Sequence, residues 1–142
     1  MKAASTVISM RLPHKSGQRL KRLAASHGWT PSDASARLVE EGLRRSEFAF
    51  IDFHDSVAGR QAYIQGSTLA VWEVMLLAPH FSGNIARLGK HLHWSEAKVQ
   101  AAFNYARAFP DEIQPALEEA AEGGNFAALS RLLPQAREFS VK

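Results

Sequence analysis

Thr6-Val7-Ile8-Ser9-Met10-Arg11-Leu12-Pro13 decides how this chain is read. Ile8, Met10 and Leu12 alternate with Val7, Ser9 and Arg11, the period-two pattern of a strand with one apolar and one outward face. Pro13, which has no N–H to give a ladder, ends the run. The sequence offers no second strand nearby, and helical patterns follow directly. A lone strand satisfies neither its edge hydrogen bonds nor its apolar face, so the segment is expected to complete a two-stranded ribbon with a twin chain. Dimerisation is therefore expected to be part of the fold, with Ile8, Met10, Leu12, Leu20 and Leu38 in the dimer core.

Working outward, Leu20, Leu23 and Ala24 recur at helical spacing over about residues 14–27, and Gly28 stands where a left-handed residue usually closes a helix. Thr30-Pro31-Ser32-Asp33 then supplies an N-cap hydroxyl, a proline at the first helical position and an acid three residues after the cap. A second helix to about residue 45 is expected to bury Ala34, Leu38, Val39 and Leu43.

Strand, helix, Gly28-Trp29-Thr30 turn and helix within residues 5–45 resemble the ribbon-helix-helix family of bacterial DNA-binding proteins. The resemblance implies an antiparallel ribbon in the major groove of double-stranded operator DNA. Val7, Ser9 and Arg11 then become the base-reading positions. Arg11 is the strongest of these, because a guanidinium bonds both acceptors of guanine at once. Val7 departs from the polar residue usual there and offers only apolar contact. The family's phosphate clamp, at the start of the second helix, carries over to Thr30 and Ser32, where free N–H groups and the helix dipole favour an anion. Lys15 is expected to add a phosphate contact.

The charge balance points the same way without any family knowledge. Residues 1–46 hold nine basic side chains against three acidic ones, a balance of +6, while the remainder holds eight against eleven, a balance of −3, together the overall +3. A polyanion is drawn to the first third.

Composition limits what else the chain does. With 142 residues and 46% apolar content it holds one ordinary domain or two small ones. It has no cysteine, which excludes disulfides, thiolate metal sites and a cysteine nucleophile. No stretch approaches the roughly 20 apolar residues of a membrane span, and no signal-type apolar core follows Lys2. A cytoplasmic protein without membrane attachment, metal or other cofactor is expected.

Beyond a polar joint at Arg44-Arg45-Ser46-Glu47 the pattern restarts. Residues 50–53 and 59–69 read as short strands with a turn at Gly66. Three helices follow. The first spans about residues 71–78 and stops before Pro79; the second follows Ser82, with Ile85, Leu88 and Leu92 on one face. The third is capped by Ser95, with Trp94 and Val99 placed as a hydrophobic staple and a core face of Val99, Ala102, Phe103 and Ala106. The brief His93-Trp94-Ser95 connection suggests a helix-turn-helix. Residues 50–113 resemble the bacterial family catalogued as domain of unknown function 433, through Ile51-Asp52, Gly59-Arg60, Ile64 to Thr68, Trp72-Glu73-Val74 and Tyr105 to Ile113. Gly66-Ser67-Thr68 departs from that family's usual Gly-Thr-Arg, and Ala62 stands where a proline is usual. The resemblance implies a VapB-type antitoxin that accompanies a PIN-like nuclease toxin. The acidic surroundings favour a partner protein, or pairing with its own copy, over DNA for this module, and Lys98, Asn104 and Arg107, with Gln100, line its outward face.

Two further helices are expected at about residues 112–121 and 126–133, and Phe139 and Val141 alternate near the end as possible partner-binding residues. His91 and His93, two apart on a helix, point to different faces and hold no metal together. Asp52, His54 and Asp55 are the seed of an alternative hydrolase reading. With no second cluster elsewhere they fall short of a catalytic site, and Asx-turn bonding is the expected role of the two acids.

The expectation is thus a mainly α protein in three parts. Residues 1–47 form a ribbon-helix-helix DNA-binding and dimerisation domain, residues 48–114 a β-hairpin with a helix-turn-helix bundle, and residues 115–142 a helical tail. The expected function is that of an antitoxin-like repressor with no catalytic residues, acting as a homodimer, or a higher assembly on DNA, on its own operon and on a PIN-like toxin. The alternative is a ribbon-helix-helix regulator without a toxin.

Overall fold

A computed structural model describes residues 4–122. The protein is mainly helical with one small two-stranded antiparallel sheet. The chain divides between Gly42 and Leu43 into two compact units.

The first unit holds α1 (His14–His27) and most of α2 (Pro31–Glu47). Gly28 closes α1 in the left-handed region at φ 69°, its N–H turned back on the Ala24 and Ala25 carbonyls. A side chain at that φ would be strained, which is why glycine stands there. The cap of α2 is the one expected: Thr30 Oγ1 accepts the Asp33 N–H at 3.1 Å, with Pro31 at the first helical position.

Between the two helices, Trp29 lies in a sandwich. The His27 ring stacks on it at 4.3 Å and the Arg37 guanidinium lies 4.5 Å from its centre. Buried apolar side chains in this unit are few. Ala24 and Ala34 are fully enclosed, whereas Leu20 and Leu38 are half-buried and Val39 is exposed. Val39 and Leu43, expected to be buried, are exposed.

The second unit begins with the hairpin β1 (Ile51–Ser56) and β2 (Gly59–Ile64), in a register that pairs Ile51 with Ile64 and Ser56 with Gly59. A left-handed Gly66 turns the chain back toward α3 (Val71–Leu77). The Glu73 carboxylate accepts the Ala70 N–H at the start of this helix. Pro79 does not interrupt the chain after α3 but sits in a 3₁₀ turn, Ala78–Phe81. α4 (Ile85–Leu92) follows, capped by Asn84, whose side chain accepts the Arg87 N–H.

A three-residue turn then leads to α5 (Glu96–Ala108), capped by Ser95 as expected, and α6 (Pro110–Glu122) comes next. α6 runs without a break across residues 114 and 115, with Pro115 inside it. The core joins Ile51, Phe53 and Ile64 of the hairpin to Val71, Val74 and Leu77 of α3, Leu88 of α4, Val99, Ala102 and Tyr105 of α5 and Ile113 of α6.

Candidate nucleic-acid interface

Residues 4–13 lie exposed, and among the described residues none of them pairs as a strand. The strand expected over residues 6–13 is thus not formed within one chain. The physical reason is the one the sequence carries: no other segment of the unit offers edge hydrogen bonds. Val7 is 91% exposed, Ile8 78%, Met10 56% and Leu12 45%, so the apolar face is as open as the face bearing Ser9 and Arg11. Leu12 also lines an open groove with Leu20, Leu23 and Leu38, rimmed by Arg19 and Arg22. Every residue expected in a dimer core is therefore at least half accessible or borders this groove.

The expected phosphate contacts are not equivalent. Lys15, in the first turn of α1, is exposed. Thr30 commits its hydroxyl to the helix cap, while Ser32 in the first turn of α2 is exposed. Asp33 in that same turn adds a carboxylate that opposes an incoming anion.

In the second unit, the residues proposed for a partner do not converge. The Lys98 ammonium lies 4.8 Å from the Trp94 ring centre, and Asn104 accepts a hydrogen bond from Gln100 at 2.9 Å. Arg107 borders a separate groove with Met75, Phe103, Ile113 and Leu117. Phe139 and Val141 lie outside the described residues, as does the helix expected over residues 126–133.

The hydrolase triplet is taken apart by strand geometry. Asp52 and His54 point to one face of β1 and Asp55 to the other. Asp52 Oδ1 accepts from Arg45 at 2.9–3.0 Å and from the Phe53 N–H at 2.8 Å, and His54 Nε2 is 3.6 Å from Oδ2. Burial pushes the Asp52 carboxyl up, but the Phe53 N–H and the Arg45 guanidinium outweigh it and hold the group below its ordinary range. Asp55 pairs with Arg60 across the hairpin at 3.3 Å. Instead of the expected Asx turns, the two acids form ion pairs within the chain, Asp52 with Arg45 and Asp55 with Arg60, because both lie in a strand. Among the described residues no group of three or more His, Cys, Asp or Glu could hold a metal ion, and no helix is long and apolar enough to cross a membrane.

One polar cluster is not singled out by the spacing. Arg44 Nη1 donates to Tyr105 Oη at 2.6 Å and to Glu112 Oε2 at 2.7 Å, and Tyr105 Oη donates to the same Glu112 oxygen at 2.9 Å. Arg44 also lies 3.8 Å from the centre of the Phe109 ring. Burial, then the Glu112 charge, push the Tyr105 phenol well above its ordinary value despite the nearby guanidinium.

Comparison with protein-family models, with curated proteins and with solved structures finds no match to this chain.

Proposed function

We propose that this chain is a dimeric DNA-binding repressor of the antitoxin kind. Two copies pair residues 6–13 as an antiparallel ribbon, with Ile8, Met10 and Leu12 turned into the dimer and Val7, Ser9 and Arg11 turned to the bases of an operator. Lys15 and Ser32, with the backbone at Thr30, hold phosphates on either side. The second unit holds a PIN-like nuclease toxin; this part of the reading rests on the resemblance of residues 50–113.

The observation that carries the DNA reading is the open segment itself. Four apolar side chains stand 45–91% exposed on residues 7–12 of a unit in which, among the described apolar residues, only Ala24 and Ala34 are fully enclosed. Burying Ile8, Met10 and Leu12 in a dimer would contribute on the order of 1.5–3 kcal/mol each. The unit also carries the chain's positive excess.

Two measurements test the reading. Light scattering on the full chain is expected to give a dimer that Ile8→Asp converts to monomer, with loss of binding to duplex from upstream of the chain's own gene. A wild-type monomer that retains sequence preference overturns it. Coexpression with the neighbouring open reading frame is expected to yield a complex with a small nuclease. Repression without such a complex favours the stand-alone regulator.

A further inference from the structure

The second unit is acidic as a whole, but its positive charge is not evenly spread. Residues 80–98 carry Arg87, Lys90 and Lys98 against one acid, Glu96. The rest of the unit's described residues hold four basic side chains and nine acidic ones. Three of those four, Arg44, Arg45 and Arg60, are paired with Glu112, Asp52 and Asp55. Arg87, Lys90 and Lys98 have no carboxylate partner among the described residues.

Geometry concentrates this charge on α4. Leu88 and Gly89 face the core, while Arg87 and Lys90 are exposed and, with His91, occupy positions i, i+3 and i+4 of the opposite face. Phe81 stands against this face, its ring 4.9 Å from His91 and 5.9 Å from the Arg87 guanidinium. The outward side of α5 is different: Gln100 and Asn104 satisfy each other, and Lys98 is drawn over Trp94.

We propose that the exposed face of α4, with Arg87 and Lys90 as its anchors, is a second contact for the phosphate backbone of duplex DNA. The inference rests on the DNA reading of the first unit. Once that unit holds an operator, tethering presents the α4 face to flanking duplex at high effective concentration, so two unpaired cations suffice to add affinity. The contact carries no sequence preference, because neither side chain is aimed by a partner as base reading requires. An acidic protein surface is the competing occupant.

The test is a salt series on the full chain with a duplex long enough to extend beyond the operator, comparing wild type with the double variant Arg87→Gln, Lys90→Gln. Both positions are exposed, and circular dichroism checks the fold. Loss of two phosphate contacts is expected to make the slope of log affinity against log salt shallower by about 1.8. Preference for operator over random sequence should stay as in wild type, and trimming the duplex to the bare operator should abolish the difference. An unchanged slope on the long duplex in the folded variant overturns the α4 contact while leaving the first unit's role intact. The same holds if that variant instead loses an acidic partner protein. A wild-type chain that binds no duplex overturns both.

Discussion

Arg44 and Tyr105 are 61 positions apart in sequence and 2.6 Å apart in space, guanidinium to phenol. Glu112 accepts from both, so one carboxylate oxygen collects two donors at the edge of the core. Removing the hydroxyl alone by Tyr105→Phe leaves the Arg44–Glu112 pair in place at 2.7 Å and keeps the ring among Phe48, Phe53 and Phe109. The lost hydroxyl accepts from one charged group and donates to another, so denaturant melts are expected to show a loss of about 1.5–3 kcal/mol, the range for hydrogen bonding to charged groups. Tyr105→Ala removes the fully buried ring as well and should cost roughly 3–5 kcal/mol, as other aromatic truncations in cores do.

The same hydroxyl makes the fold sensitive to alkali. Tyr105 is raised above its unfolded value, so its contribution is fully present below about pH 10, the ordinary phenol range. Above that pH the unfolded chain gives up the proton while the folded one keeps it, and stability falls as pH rises. In a Tyr63→Phe background only Tyr105 reports, since the chain has two tyrosines. Tyrosinate absorbance is expected to appear only above pH 10 and together with loss of helical circular dichroism. A reversible titration near pH 10 with the helices intact would show the phenol to be accessible.

Much of the fold is legible in the sequence, because local chemistry writes it. Gly28 closing α1, Thr30 with Pro31 opening α2 and Ser95 capping α5 each follow from one or two residue types at fixed offsets. Side-chain burial is less legible where two faces compete. On α5 the pattern Val99, Ala102, Phe103 and Ala106 points one way, yet Ala101 and Tyr105 are buried while Phe103 and Ala106 are only half covered. The arc is turned because Tyr105 has both an aromatic nest and a polar partner 61 residues earlier, which no local spacing contains. Asp55 is open to a turn reading because the first strand, expected to end at residue 53, runs on to Ser56; its partner Arg60 emerges only once the hairpin register is known, and Asp52's partner Arg45 only from the end of α2. The charge on α4 is hidden in sequence by the acidic total around it. The ribbon segment, finally, is readable in pattern but unfulfilled in a single chain.

Gly89 is fixed by a close approach and not by its backbone angle. A Cβ there would stand 2.9 Å from the Trp94 carbonyl oxygen and 3.5 Å from Val99 Cγ2. The carbonyl belongs to the turn between α4 and α5, whose Trp94 N–H already donates to the Gly89 carbonyl at 2.8 Å, so it cannot swing aside. Alanine would gain up to about 1 kcal/mol in helix propensity but meet an overpacking cost of about 1–3 kcal/mol. Gly89→Ala is expected to lower stability by about 1 kcal/mol, whereas Gly17→Ala in α1, with nothing within 4 Å of the new methyl, should raise it. Paired thermal melts of the two variants check the contrast.

Arg11 and Lys15 separate reading from holding. Both are exposed and lie four residues apart, one on the segment proposed to enter the groove and one on the first turn of α1. A guanidinium that bonds guanine at two acceptors discriminates between bases, so Arg11→Ala is expected to cost about 1–3 kcal/mol on the preferred operator and far less on random duplex. An ammonium on a phosphate is indifferent to sequence. Lys15→Ala should weaken both duplexes alike and make the salt slope shallower by about 0.9. Gel-shift titrations of both variants against both duplexes at several salt concentrations give the four comparisons needed. Equal losses for Arg11→Ala on operator and random duplex would remove the base-reading role from residue 11, and a sequence-dependent loss for Lys15→Ala would move it to α1.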